Sequence, residues 1–196
     1  MTLALNKTTL KRQNDHVKLY RRFLPSLELK RQQLQTAWSE SKEELAVIEA
    51  EVEAVSAELQ PLYPLVGAST IDVGEMAHWV RVVAVKVETE NVVGTSVPKL
   101  GDLQMEVTNY SRLIMPFWID SMIEALQKMV RLKVQVRIAR QRTEVLGLAL
   151  RRITQRVNLF DKVLIPRAEE NIRRINIFLS DQERAAVVRS KIAKSR

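Results

Sequence analysis

The sequence predicts a mostly α protein: a long antiparallel two-helix coiled coil formed by the N- and C-terminal helices, with a small central insert containing a short β-hairpin. Three observations point there. Apolar residues recur at heptad spacing towards both ends of the chain. Five glycines and six prolines in 196 residues leave material for few turns, so the elements must be few and long. β-Branched residues concentrate in one central stretch. The expected division is 1–62 for the N-terminal helix, 63–115 for the insert and 116–196 for the C-terminal helix, together one elongated domain.

The first helix is read from Leu10 taken as heptad position a. Positions a are then Leu10, Val17, Leu24, Arg31, Trp38, Leu45, Val52 and Leu59, and positions d are Gln13, Tyr20, Leu27, Leu34, Ser41, Ile48, Val55 and Leu62. Thirteen of these sixteen are apolar or aromatic, a narrow coiled-coil seam rather than the broader stripe of a globular surface helix. The second helix answers with Leu132, Val136, Ala139, Thr143, Leu146, Leu150, Ile153, Val157, Phe160 and Leu164, at alternating spacings of four and three. Past Pro166 the stripe resumes at Ala168, Ile172, Ile175, Leu179 and Ala186 after successive spacings of four, a stutter that locally unwinds a supercoil.

Two apolar seams of similar length on one chain pair most economically with each other as a hairpin. Charge supports the antiparallel sense: Glu44, Glu51 and Glu58 fall at g on the first helix, Arg142 and Arg156 at g on the second, and antiparallel coils bring g opposite g. Pro25 and Pro166 interrupt the two helical patterns at about the same expected height, where a shared bend is expected. Residues 117–130 (FWIDSMIEALQKMV) form a helix with more apolar faces than one partner covers, so something else is expected to pack there.

In the insert, VRVVAVKVETENVVGTSV has partial two-residue alternation and predicts strands near 80–88 and 91–97, the second ended by Pro98. Residues 63–78, with Pro64, Gly67 and Gly74, predict loop or short helix. The stretch NVVGTSVPK lacks the paired glycines of a phosphate loop, and its Lys99 follows a proline that has no N–H to donate.

Composition narrows the chemistry further. With no cysteine there is no disulfide framework, thiolate metal site or thiol nucleophile. His16 and His78 stand far apart without the spacing of a metal or general-base motif. The glutamates at 40, 43, 44, 49, 51, 53 and 58 spread around the helix as a solvated face. No catalytic residue, cofactor or metal site is therefore expected. No apolar run reaches membrane-spanning length and no secretory core follows Met1, so a soluble intracellular protein is expected.

Net charge is +8, distributed as +6 over residues 1–39, −6 over 40–60, −3 over 61–130 and +11 over 131–196. A pI near 9.9 raises nucleic-acid binding as an alternative. Arg137, Arg140, Arg142, Arg151, Arg152 and Arg156 scatter around the helix, however, and few aromatics interleave with them for stacking. A coiled-coil scaffold in another assembly is the other alternative.

Three segments resemble one family. They are the opening helix HVKLYRRFLPSLELKRQQL, the central ENVVGTSVPKL, and the tail RVNLFDKVLIPRAEENIRRINIFLSDQERAAVVRSKIAK with its Val157–Asn158 and Ile165–Pro166 pairs. They are similar to the D subunit, the central rotor shaft, of V-type and A-type rotary ATPases. The resemblance implies a non-catalytic protein that transmits torque between a ring of alternating A and B subunits, which handle ATP, and an ion-translocating membrane rotor. It implies an F subunit lying alongside the shaft and a funnel-shaped subunit joining it to the membrane ring. It also implies a cytoplasmic location peripheral to the membrane, with no nucleic-acid partner and no membrane insertion.

On that reading the seam residues Leu10, Val17, Leu24, Leu27, Leu34, Leu45, Ile48, Val52, Val55, Leu59, Leu146, Leu150, Ile153, Val157, Phe160 and Leu164 hold the shaft together. Both termini lie inside the ring, where Lys7, Lys11, Arg12, Arg184, Arg189, Lys191, Lys194 and Arg196 form a basic tip facing it. Asn91, Val92, Gly94 and Pro98 belong to an insert foot that docks neighbours.

Overall fold

The computed structural model describes residues 3–69, 73–76, 78–108 and 116–194. In chain order these form α1 (Lys7–Leu59), a 3-10 turn (Gln60–Leu62), α2 (Tyr63–Gly67), α3 (Val73–Met76), β1 (Val80–Val92), β2 (Thr95–Val107), α4 (Trp118–Leu159), a π-helical turn (Phe160–Leu164) and α5 (Ile165–Lys194). The fold is the expected one: two long helical stretches paired antiparallel, with a two-stranded antiparallel hairpin between them. The chain divides into two compact units, one of residues 1–32 and 151–196, the other of residues 33–150.

α1 begins where Asn6 caps it. The Asn6 Oδ1 accepts the Thr9 backbone N–H at 2.7 Å, and the Asn6 carbonyl accepts the Leu10 N–H at 3.0 Å, so the first turn is closed without help from outside. All sixteen a and d positions counted from Leu10 are buried or half-buried, as are the stripe positions from Leu132 to Leu179. Ala186 is exposed, contrary to the stripe's extrapolation. The reason lies in register: Arg21 meets Glu169 in the first unit, so α1 runs out near its Lys7 end before α5 reaches Ala186.

In the first unit the buried apolar residues are Val17 of α1, Ile153 and Val157 of α4, and Ile165, Ala168 and Ile175 of α5. Tyr20 meets Phe160 edge-on at 5.4 Å between ring centroids, and the His16 ring lies tilted 5.8 Å from that of Tyr20. Pro25 sits inside α1, where it leaves the Arg21 carbonyl without its usual donor. Pro166 follows the π turn, in which the Ile165 N–H reaches back to the Phe160 carbonyl, one residue further than in an α-helix. That widened turn is the structural form of the stutter, since it absorbs the successive spacings of four.

In the second unit the antiparallel sense is explicit. Trp38 lies over Gly147, Ser41 bonds Thr143, Glu49 pairs with Arg140 at 2.8 Å and Glu58 with Lys128 at 3.8 Å. The core of this unit gathers Val55, Leu59, Met76, Trp118, Ile119, Met122, Ile123 and Leu132. Val66, Trp79, Val80 and Val107 pack against it. The surplus apolar faces of residues 118–130 are therefore covered from within the chain, by α2, α3 and the base of the hairpin, while Phe117 stays 88% exposed. Residues 63–69 and 73–76 hold the short helices expected for that stretch.

The hairpin is longer than the sequence suggests. Its strands run over 80–92 and 95–107, and Pro98 lies inside β2 opposite Thr89 instead of ending it. Val92 and Thr95 close the turn as a hydrogen-bonded pair, so alternation makes Thr89–Pro98 a non-bonded pair in which the proline nitrogen points outward and no ladder bond is lost. The two-residue turn has positive φ at both Val93 (52°) and Gly94 (74°), the type I′ geometry that matches strand twist. The Asn91 Oδ1 accepts the Gly94 N–H at 2.8 Å, stabilising the tip. A β-branched residue at positive φ is strained, and Val93 carries that strain here.

Two expectations test this architecture. Val93→Asn keeps the turn and relieves the strain, worth about 1 kcal/mol; thermal unfolding is expected to shift upward by roughly 2–4 °C, and a lower midpoint would contradict the I′ assignment. Leu146→Ala, at a fully buried seam position (0% exposed), is expected to lose about 2–5 kcal/mol in denaturant unfolding. Leu148→Ala, two residues along and 48% exposed, is expected to lose under about 0.5 kcal/mol.

Candidate interaction surfaces of the two units

The basic tip expected from the sequence lies wholly within the first unit. Lys7, Lys11 and Arg12 at the start of α1, and Arg184, Arg189, Lys191 and Lys194 towards the end of α5, are all exposed; Arg196 lies outside the described residues. Every residue from Asp181 to Lys194 is exposed, including Val187, Val188 and Ile192 at 55–56%. This last stretch of α5 is thus a helix with exposed apolar side chains on its surface. Behind it, Arg12 and Gln13 of α1 line an open cleft with Arg167, Asn171 and Arg174 of α5, where Arg174 Nε donates to Glu170 Oε1 at 2.9 Å.

Charge separates the two units more sharply than it separates segments of the chain. Residues 1–32 and 151–196 carry 20 basic and 7 acidic side chains, a net of +13, whereas residues 33–150 carry 11 and 16, a net of −5. The first unit therefore presents a strongly positive field to any partner. The inter-helix ion pair of Arg21 with Glu169, at 2.6 Å, is exposed on both sides and adds little to stability.

The arginine at 142 behaves differently from its heptad expectation. It does not meet the glutamates of α1. It pairs instead with Glu90 near the hairpin tip, Nη1 to Oε2 at 3.1 Å, with only 23% of the arginine side chain exposed. The contact is close without being an aligned hydrogen bond, and the Arg142 Nε is likewise buried without an acceptor. Val97, on the same face of the hairpin as Glu90, is 1% exposed. The tip of the hairpin thus meets α4 through the charged Glu90–Arg142 contact. Among the other g positions, Glu44, Glu51 and Arg156 form no ion pair with described residues, and Glu58 pairs with Lys128.

Asn91, Val92, Gly94 and Pro98 fall together at this tip. Asn91 and Gly94 are engaged with each other, Val92 closes the turn, and Pro98 is half-buried in β2. The larger exposed apolar surface of the insert is elsewhere, in the body of the hairpin. Cross-strand pairing puts Val82–Met105, Val85–Leu103 and Val87–Leu100 on one face and the opposite charges Arg81–Glu106, Lys86–Asp102 and Glu88–Lys99 on the other. Val82, Val85 and Val87 are 38–52% exposed.

Two bulges create this segregation. Val83 has no partner on β2 and Gly101 none on β1, so each shifts the alternation by one residue. The first brings Val82 onto the face of Val85 and Val87; the second does the same for Leu100 and Leu103. A Cβ at Gly101 would lie 2.9 Å from the Glu88 side chain, which is why the bulge falls on a glycine. The sequence contains this signal only as valines and leucines at irregular spacing.

Among the described residues, no group of three or more His, Cys, Asp or Glu is arranged to hold a metal ion, and no helix is long and apolar enough to cross a membrane. His16 stacks on Tyr20, and the His78 carbonyl accepts the Thr108 hydroxyl at the base of the hairpin.

The chain matches the family model of ATP synthase D subunits over residues 9–195. It is 36% identical over 196 residues to the V-type ATP synthase D subunit of Borreliella burgdorferi, covering 98% of this chain and 94% of that one. It is 31% identical over 204 residues to the protein of the same name from Chlamydia muridarum, covering 99% and 95%, and 32% identical over 182 residues to that of Chlamydia caviae, covering 89% and 83%. The likeness extends over nearly the full length of the chain. The chain belongs to the family of ATP synthase D subunits.

Proposed function

We propose that this chain is the central-stalk rotor protein of a V-type ATP synthase, transmitting torque between a ring of A and B subunits and an ion-translocating membrane rotor. It has no catalytic role of its own; ATP is handled by the ring. The F subunit of the central stalk and a funnel-shaped subunit leading to the membrane ring are its other partners, and it works in the cytoplasm, peripheral to the membrane.

The observation that carries this reading is the pairing of two unlike helices along a buried seam, in a chain that belongs to the family of D subunits. A helix pair has no threefold symmetry, so each of three equivalent ring sites would meet a different surface. Only such differential contact can bias identical sites towards different states. The excess of +13 on residues 1–32 and 151–196 supports a role for that unit against a ring surface, through contacts that hold without interlocking. The uncovered valine face of the hairpin supports docking by the insert, with Asn91, Val92, Gly94 and Pro98 at its tip.

Two experiments follow. Affinity purification of the tagged chain from its own cells is expected to recover A and B subunits in a ratio of one chain to six ring subunits. Recovery of nucleic acid, or of an unrelated assembly without the ring, would contradict the assignment. Replacing Lys7, Lys11, Arg12, Arg184, Arg189 and Lys191 by Gln is expected to weaken binding to the isolated ring at least about tenfold, near 1.4 kcal/mol, and to flatten its salt dependence. Unchanged affinity would mean that these side chains are simply solvated.

A further inference from the structure

Within the unit of residues 33–150 the seam contains two polar residues that a shaft does not need for cohesion. Ser41, 3% exposed, occupies a d position of α1, and half-buried Thr143 is the polar member of the α4 stripe. Their hydroxyls lie 2.8 Å apart, and Thr143 Oγ1 is 2.9 Å from the Ala139 carbonyl and 3.2 Å from the Ser41 carbonyl. One assignment satisfies both: Thr143 donates to a carbonyl while accepting from Ser41. One turn away, Trp38 of α1 lies over Gly147, the only glycine in α4. A Cβ at position 147 would sit 3.1 Å from the Trp38 Nε1, so the indole uses the space that a side chain would take. Glycine inside a helix is unfavourable by about 1 kcal/mol relative to alanine, and here that deficit makes a hole.

A heptad pattern alone does not choose its register. An apolar seam can slide by seven residues and still bury a and d positions, and a single polar layer is a recognised means of forbidding it. We propose that Trp38, Ser41, Thr143 and Gly147 form a register lock, holding α1 and α4 against one-heptad slippage within the unit of residues 33–150. Slippage either way sets Ser41 against Val136 or Leu150, and Thr143 against Leu34 or Ile48. The bond between the helices is then lost, while Trp38 is pressed against a residue that has a side chain. The Glu90–Arg142 contact brings the hairpin tip to the same level, adding a third interaction that one register alone permits. The significance of the lock for torque rests on the shaft reading, since a coil that slips absorbs rotation instead of passing it on; the lock itself does not.

The chain has no native cysteine, so spin labels can be placed at will. Glu43→Cys and Glu124→Cys are both exposed sites in this unit, separated along the helix axis by roughly 27 Å at this register. In the full chain we expect a single narrow distance distribution. With Trp38→Leu, Ser41→Leu, Thr143→Leu and Gly147→Leu added, helicity is expected to persist, and a second population displaced by about 10 Å, one heptad of rise, is expected to appear. A single undisplaced peak in that helical variant would overturn the proposal. Should the fourfold variant not fold, Trp38→Leu/Ser41→Ala/Thr143→Val is read by the same criterion: a displaced second population supports the lock and one unchanged peak refutes it. The measurement reports register and not ATP turnover, so its outcome is separate from that of the shaft assignment.

Discussion

The contact on which the rest of the molecule depends is the apolar seam between α1 and its partner helices. Leu34, Leu146 and Ile175 are at most 1% exposed, and each is worth about 1.5–3 kcal/mol of burial. The ion pairs beside it are exposed and few. Apolar contact therefore supplies the cohesion, while polar side chains select among arrangements that would all be cohesive. Without that seam α1, with its mixed polar surface, would be a 53-residue helix with no reason to stay in one place.

The same division of labour appears in the insert. Its base is fastened by Val80 and Val107 to the core around Trp118, and its tip meets α4 through the Glu90–Arg142 contact. Between those points the two bulges turn one face apolar and the other into a ladder of opposite charges. A two-stranded ribbon is marginal by itself. Here it is held at both ends, which leaves its valine face free for a partner without the ribbon having to fold on that partner.

The seam was legible because heptad spacing is a local property of the sequence, and the antiparallel sense followed from having two such seams on one chain. Where it fails, at Ala186, the cause is the length of the other helix, which no reading of the tail alone can supply. The hairpin was visible but too short, since Val83 and Gly101 break the alternation by which strands are read, and Pro98 ends a strand only if its nitrogen faces the ladder. The partner of Arg142 could not be read from helix positions, because it comes from a strand some fifty residues away. Ser41 and Thr143 stood out as polar exceptions, yet their hydrogen bond exists only once the register is known.

Membership of the family of D subunits and the paired helices lead to one physical account. A single chain folds back on itself, unlike helices face outward around a common seam, and the basic residues collect in the unit that contains both ends. The most direct test of its central claim is native-state hydrogen exchange on the isolated chain. Amides around Leu34 in α1 and around Leu146 in α4 are expected to exchange through one shared opening with the same free energy. Loss of protection in α4 while α1 remains protected would show that the two helices are stable separately, and would contradict the account.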